Sequence, residues 1–524
     1  MTKVVEKDFF KEKFNTETID IFNTESDEPY LTIEGVTYRI QSAEFKELLW
    51  KQYYLEYRNP PSCCKLKKAI TDLYMAGKTM APVKTVHRRF AKIDDSVFID
   101  LGTPDFSAVK ITRDSVSVVQ NPEAKFIRPK VQRQIGTPKL TSLPEYLNLL
   151  KRYIPFKTDD DFVLFVSWLL GCMNCEGGYP VLFLVGEQGS AKSTTCRLIK
   201  DLLDASSVSL RNMPKSEKEL MISAVNDFVL CFDNTSKISD SQSDNLCKLA
   251  TGSAFTTRRL YSTVGEVQLA SKNPCVINGI ACLPTRQDLL DRSIIISFDF
   301  ISPESRKTEK ELMEAWEHDR PLIFGALCQA AAVALKNYEQ VSERGLPRMA
   351  DFAKWVIAGE ERLPWEKGQF METMGNLRAK MVEEALDADP VSMAVLKLME
   401  NRESWSGTAT DLLDALSACI DQDRKKYPGF PKIANQLSRD LERMSSFLRD
   451  KGILIDKKHS GTRSITLINT ALQDENQFSE EAKTDVMKKT MGEVRRALPP
   501  APQSEEAIEP HEELMATASD DVDF

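Results

Sequence analysis

Lys192, Ser193 and Thr194 stand side by side behind a loop that carries Gly186 and Gly189. An ammonium next to two hydroxyls suits a polyphosphate and the hard divalent cation that travels with it. The residues before the loop, Val181 to Val185 (VLFLV), have the length of a buried strand, and those after it read as an amphipathic helix. Strand, glycine loop and helix together form the setting in which backbone N–H groups cradle phosphates at a helix N-terminus. We therefore expect Gly186, Glu187, Gly189, Ser190, Ala191, Lys192, Ser193 and Thr194 to bind ATP. Lys192 would reach the β and γ phosphates, and the Ser193 hydroxyl would hold Mg²⁺. Ala191 occupies the place where a glycine normally precedes the lysine. The bland alternative is a strand–turn–helix with a chance lysine, and the context on both sides argues against it.

A second apolar run, Phe228 to Phe232, ends in Asp233-Asn234. A carboxylate at the tip of a neighbouring strand would complete the Mg²⁺ shell, which suits Asp233. Asn234 stands where many such ATPases carry a glutamate; an amide orients water but takes no proton from it. Glu187, Asp240 and Asp244 are alternative bases. A third run, Asn273 to Ile280, holds Asn278 near its end, placed to sense the γ-phosphate or position water. The fourth, Ile294 to Phe298, follows Asp291-Arg292. Arg292 is the candidate to stabilise transition-state charge on a neighbouring subunit, with Arg286 second; a surface salt bridge is the alternative for either. Between the second and third strands, Thr251 to Ala270 alternates on both sides of Gly265-Glu266, predicting a β-hairpin. Arg258, Arg259 and Tyr261 on its first arm could contact a DNA backbone.

The elements that must position these residues belong to a chain of 524 residues, room for about three domains. Its composition is 42% hydrophobic and 28% charged with a mean hydropathy of −0.32, and its longest apolar run, Phe162 to Met173, cannot span a bilayer. MTKVVEKDFF lacks the apolar core of a secretory signal, so a cytoplasmic location is expected. Eleven scattered cysteines argue against a disulfide framework, and the four histidines give the Cys172/Cys175 pair no metal partner. Of the net charge of −9, eight acids lie between Leu498 and Phe524, where no Lys or Arg occurs. The rest is near neutral, so acidity does not exclude a nucleic-acid partner.

Residues 1–140 read as an α/β domain. A hairpin turns at Glu34-Gly35, helices run over 43–57 and 62–76 with Gly77 as C-cap, and strands over 83–89, 96–101, 108–111 and 116–119. Its basic bursts (Lys84, His87, Arg88, Arg89, Lys92; Lys125, Arg128, Lys130, Arg133) are either a solvated face or a nucleic-acid contact. No paired-carboxylate or metal pattern for nucleotidyl transfer is present, which excludes support for a primase. Residues 132–144 read as a linker, and helices are expected over 145–153 and 161–173, with two further helices over 321–338 and 349–361 as a lid.

GEQGSAKST resembles the phosphate loop of minichromosome-maintenance helicases, in which alanine also precedes the lysine. The order of phosphate loop, strand ending in Asp, RRLY, strand ending in Asn, and LLDR is similar to superfamily 3 helicases. It looks closest to ATP-binding replication proteins of phages and integrated mobile elements, and RMADFAKWVIA (348–358) extends the likeness. The resemblance implies an AAA+ fold, a homo-hexameric ring, ATP hydrolysis between subunits and DNA unwinding at an origin. Carried over, Asp233, Asn234, Asn278 and Arg292 form the catalytic set, Ser193 and Asp233 hold the metal, and Arg348 is a further candidate sensor. An ATP-switched initiator with slow hydrolysis is the first rival, favoured by Asn234; a P-loop small-molecule kinase is the second.

After residue 385, helices over 408–420 and 433–451 and strands over 453–458 and 463–468 look like a winged helix (386–470). From Lys432 to Arg463 eight basic residues face four acids. Arg439, Arg443, Lys457 and Lys458 are the candidate duplex contacts, protein contact being the alternative. In 471–524 one helix over 478–496 precedes an acidic tail whose SDDVDF resembles the tip of bacterial single-strand-binding proteins and could recruit replication partners. The expected whole is α/β: an AAA+ core between an α/β N-terminal domain and a C-terminal winged helix.

Overall fold

The computed structural model describes residues 9–10, 19–252, 254–258, 266–280, 284, 286–420, 429–458 and 464–472. It divides into two compact units, Met1–Ala385 and Leu386–Phe524. The expected helix over 478–496 and the acidic tail lie outside the described residues.

In the first unit, β1 (Asp20–Phe22), β2 (Tyr30–Ile33) and β3 (Val36–Arg39) form an antiparallel sheet, with β2 and β3 joined at Glu34-Gly35 as the alternation predicts. Helices Ala43–Tyr57 and Cys63–Thr79 follow, each started by a serine side chain (Ser42, Ser62) that accepts a first-turn N–H. Gly77 does not cap the second helix; it lies inside it, where a Cβ would come 2.6 Å from Pro29 Cβ. Close approach, not chain reversal, selects glycine there.

The strand expected over 83–89 is reduced to β4 (Val86–His87), paired in parallel with β9 (Lys125–Phe126). A strand the sequence reading missed, β5 (Phe90–Ile93), opens an antiparallel meander with β6 (Ser96–Asp100), β7 (Ser107–Ile111) and β8 (Val116–Gln120). The meander shares one hydrophobic core with the centre of the unit: Val97, Ile99 and Val109 are buried with Leu147, Phe165, Leu198 and Trp316. Residues 132–144 are stitched into that core. Arg133 N donates to Ala205 O (2.7 Å), Ile135 N to Leu101 O (3.0 Å) and Lys139 N to Pro321 O (2.8 Å).

Most of the basic bursts are engaged by partners within the first unit. Lys84 and Lys125 both pair with Asp20 at 2.6 Å, Arg128 with Asp100 at 2.5 Å and Lys130 with Glu47 at 2.9 Å. Arg88, half-buried, donates to the Ala224 carbonyl, and Lys92 pairs with Glu176.

The centre is a parallel four-stranded sheet: β10 (Val181–Val185), β11 (Leu230–Phe232), β14 (Cys275–Gly279) and β15 (Ser293–Ser297), in the order β11-β14-β10-β15. The antiparallel hairpin β12 (Ala254–Arg258) and β13 (Glu266–Ala270) lies between β11 and β14 in sequence, as expected. Helix Asp159–Gly171 starts with a capping box of Thr158 and Asp161, and the other oxygen of Asp161 accepts from Ser297 N at 2.7 Å. Residues 144–152 form a 3₁₀ helix. The helix expected to begin at Pro321 starts twelve residues earlier as Glu309–Asn337, capped by Thr308 and Glu311. Proline reads as a start signal, but here it sits inside the helix.

Behind the sheet lies a buried charge network. Lys200, 2% exposed, donates to Asp204 (2.9 Å), Asp227 (2.9 Å) and Val229 O (3.0 Å). Asp204 also accepts from Phe228 N and Val229 N, and Arg89 Nε approaches it at 3.2 Å. Arg211 Nε donates to Asp227 at 3.0 Å. Arg89, fully buried, further holds the carbonyls of Asp100, Arg133 and Ala205.

The second unit consists of helices Pro390–Met399, Ala409–Ile420 and Ala434–Asp450 and an antiparallel sheet of β16 (Ser404–Gly407), β17 (Ile453–Lys458) and β18 (Ser464–Asn469), ordered β16-β18-β17. The first helix and β16 were not foreseen; the other elements match the reading within a residue. Leu437, Leu441, Met444, Phe447 and Leu448 form the buried stripe of the third helix. Among the described residues no helix is long and apolar enough to cross a membrane, and no group of three or more metal-ligating side chains is present. Burial pushes the Cys172 and Cys175 thiols up, Cys175 to about 12.

His87 supplies a test of this packing. Its Nε2 is buried without a partner, and burial lowers its pKa from 6.5 to about 4. Between those values the unfolded chain binds more protons than the folded one. The stability that neutral His87 contributes is complete above pH 6.5 and is lost as pH falls toward 4, by at most about 3 kcal/mol. Urea unfolding at pH 7.5 and pH 5 should therefore show a drop in the wild type that His87→Phe reduces; equal drops would contradict the assignment.

Candidate functional site

β10 ends at Val185, and the chain turns through the glycine loop into helix Lys192–Leu203. Gly189 (φ 89°) and Ala191 (φ 59°) are both left-handed. For Gly189 that conformation is free; for Ala191 it costs about 1–2 kcal/mol, which the surrounding packing must offset. Left-handed residues on either side of Ser190 turn successive N–H groups into one concavity, the geometry of an anion nest. Ala191 gives the helix no side-chain cap. Among the described residues no protein acceptor takes the N–H groups of Gly189 to Thr194. Unpaired donors at a helix start, beside a lysine, fit a polyphosphate.

Lys192 folds back into the loop. Its Nζ donates to Gly186 O (2.8 Å), Glu187 O (2.6 Å) and Ser190 Oγ (3.1 Å). Burial lowers its pKa, and nearby Asp233 opposes that shift. Ser193 Oγ donates to Asp233 Oδ1 at 2.9 Å, so the two expected metal residues meet across the sheet. A Mg²⁺ ion usually keeps several waters and takes one or two protein ligands, and a hydroxyl–carboxylate pair beside a phosphate nest fits it.

β14 lies between β10 and β11 in the sheet, and its Asn278 is 2% exposed. Its Oδ1 accepts from Asn234 N and its carbonyl from Thr235 N, both at 2.9 Å. Its Nδ2 lies 3.4 Å from Cys196 Sγ on the loop helix. Asn234 is left-handed (φ 53°) and exposed. Asn278 thus brackets the segment after Asp233 against the phosphate-loop helix.

The arginines are placed differently from the glycine-loop residues. Arg292 is held within this chain by Asp288, both carboxylate and carbonyl, and its Nε is buried without a partner. Arg348 shares Asp288 (2.9 Å) and reaches Asp291 (3.6 Å). Arg286 pairs with Asp244 at 2.6 Å, which occupies that candidate base as well. Glu187 is exposed on the loop. In the hairpin, Arg258 pairs in register with Glu266, and Arg259 and Tyr261 lie outside the described residues.

In the second unit Arg439 and Lys458 are exposed. Arg443 pairs with Asp389 (2.8 Å), and Lys457 donates to Ser438 O (3.1 Å). Sequence reasoning did not single out Arg306, whose guanidinium lies against Gly189. No periodicity or motif spacing marks it.

Two family models match the chain. Residues 147–361 match the actinomycete integrative conjugative element replication protein, RepA, and residues 391–481 match its C-terminal domain, together more than half of the sequence. The chain belongs to this family of mobile-element replication proteins. No curated relative matches it. Among solved structures it is similar to the apo C-terminal region of NrS-1, at 12% identity and TM-score 0.41 over 88% of this chain and 98% of that one. A second apo structure of that region aligns at 13% identity and TM-score 0.41, over 88% and 99%. A JCV helicase bound to a small molecule aligns at 14% identity and TM-score 0.20, over 42% and 66%. Likenesses at this level decide nothing about fold or function.

The bracket at Asn278 can be checked directly. Asn278→Ala leaves the Asn234 N–H without its acceptor and should cost about 1–3 kcal/mol in urea unfolding. A change below about 0.5 kcal/mol, the range of ordinary surface substitutions, would contradict its bracing role.

Proposed function

We propose that this replication protein is an ATP-driven DNA motor of the AAA+ type, acting as a ring at the replication origin of its element. The observation that carries the reading is the convergence at one sheet edge of the left-handed Gly189–Ala191 loop, Lys192 and the Ser193–Asp233 pair. In this reading the N–H groups of residues 189–194 and the Lys192 ammonium take the phosphates of ATP. Lys192 exchanges its loop carbonyls for phosphate oxygens, and Ser193 and Asp233 hold Mg²⁺, which supplies charge neutralisation at the transferred phosphoryl group. Asn278 positions the segment bearing Asn234, whose amide orients water. Arg292 would have to leave Asp288 to serve a neighbouring subunit.

The second unit supports a DNA-contacting role. Its helix–strand–helix–helix–strand–strand order with a β16-β18-β17 sheet supports the winged-helix reading. Arg439 on the third helix and Lys458 at the end of β17 are exposed cations there. One observation favours the rival reading of a slowly hydrolysing, ATP-switched initiator: Asn234 follows Asp233, and Arg286 holds Asp244.

Two measurements test the proposal. DNA should stimulate ATP hydrolysis by the full chain and ATP should drive strand displacement, with both lost in Lys192→Ala. ATP binding and DNA-stimulated turnover without strand displacement would favour the switch; hydrolysis independent of Lys192 would sink both readings. Deleting residues 390–524 should weaken duplex binding at least tenfold while leaving basal ATP hydrolysis within about twofold, since a discrimination of about 1.4 kcal/mol is a factor of ten. Unchanged duplex binding would remove the second unit from DNA recognition.

A further inference from the structure

After β15 the chain does not leave the loop. Phe298 N donates to Val185 O at 2.8 Å, at the root of the glycine loop, and a Cβ on Gly186 would come 3.0 Å from Phe298 O. Residues 298–306 then run back over the loop through a 3₁₀ turn, Pro303–Ser305, braced by a 3.1 Å contact between the Ser302 and Ser305 hydroxyls. This turn delivers Arg306. A Cβ on Gly189 would lie 2.9 Å from an Arg306 terminal nitrogen and 3.4 Å from the Phe300 ring. The loop's tip is therefore covered by a guanidinium and an aromatic edge.

Arg306 is exposed, and among the described residues no ion pair holds it. Its guanidinium lies over Phe300, with Cζ 5.6 Å from the ring centroid. Phe300 is itself 52% exposed, unusual for a phenylalanine with no core to fill. Glu304, the acid on the same turn, is engaged by its own backbone and Ser302, which hold its carboxylate below the usual range, Arg306 contributing least. A guanidinium held over a ring, with no ion pair on its N–H groups among the described residues, is placed to hydrogen-bond an oxyanion. The only concavity of unpaired N–H donors beside it among the described residues is the one at Gly189 to Thr194.

We propose that Arg306, held by Phe300, is a phosphate-binding residue of this nucleotide site, contributed by the same chain and distinct from Lys192. The assignment rests on the reading of the glycine loop as an ATP site. In it, Lys192 approaches the phosphates from within the loop and Arg306 closes over the loop's tip, so that two cations from two elements grip one polyphosphate. Phe300 holds the arginine in place and is a positioning residue.

The test is equilibrium titration of the full chain with a fluorescent N-methylanthraniloyl ATP analogue and Mg²⁺, for the wild type, Arg306→Ala, Arg306→Lys, Phe300→Ala and Lys192→Ala. Loss of a charge-assisted hydrogen bond corresponds to a fall in affinity of about ten- to hundredfold for Arg306→Ala. Arg306→Lys, which keeps the charge but not the fork, should fall between it and the wild type, as should Phe300→Ala. The nucleotide-free melting temperature of Arg306→Ala should stay at the wild-type value, because no ion pair is lost. If Arg306→Ala melts early, Arg306→Gln, which keeps the stem on Phe300, is read with the same expectations. Wild-type affinity in the Arg306 variants with binding lost in Lys192→Ala overturns this inference and leaves the ATP site standing. Wild-type affinity in Lys192→Ala as well overturns the ATP site, and this inference with it.

Discussion

The first unit depends on the ammonium of Lys200. It sits on the helix that leaves the glycine loop, and it binds Asp204, Asp227 and the Val229 carbonyl. Burial opposes its charge, yet Asp204 and Asp227 prevail and hold its pKa above the ordinary lysine value. Through those two carboxylates the network reaches Arg211, the Phe228–Val229 backbone and Arg89. Arg89 carries it on to the meander and to residues 133 and 205. Removing one partner of such a network leaves the other charges buried and unpaired, which costs about 3–5 kcal/mol in comparable cases. Five separate stretches of chain are thereby locked into a single arrangement.

That arrangement is what brings the chemistry together. Val229 directly precedes β11, so fixing it against the loop helix fixes the distance from Ser193 to Asp233 at the far end of the same strand. On the opposite end of the helix, the left-handed Ala191 is tolerated because β10 and Lys192 hold both of its flanks. Strain of this kind persists where the surroundings over-determine the backbone, and here the result is a row of unpaired donors facing one way. Asn278 completes the frame by tying the backbone after Asp233 to Cys196 on that helix.

The charges divide by the same logic. Cations whose clustering in sequence fits either a solvated face or a nucleic-acid contact, Lys84 and Arg128 among them, are paired within the first unit. Arg292 and Arg348 compete for Asp288. Others have no ion pair among the described residues, Arg306 at the loop tip and Arg439 and Lys458 on the second unit among them. A local count of Lys and Arg cannot separate these groups, because pairing depends on acids distant in sequence.

Elements with a strong local period were legible without coordinates: VLFLV as β10, the Glu34-Gly35 hairpin, the apolar stripe from Leu437 to Leu448. Their periods and turn residues reflect short-range physics. The types and order of Lys192, Ser193, Asp233 and Asn278 were legible for the same reason, since each sits on or just beyond the tip of a strand whose apolar run announces it. What the chain alone could not reveal is everything set by partners far away. Gly77 looked like a cap until Pro29 was found against it, Pro321 looked like a helix start until Thr308 and Glu311 capped an earlier turn, and β5 was hidden beside two arginines that turn inward. The glycine loop was written in the sequence. The bracket at Asn278 and the arginine laid over Gly189 were decided by the tertiary structure, because each joins residues that no local spacing relates.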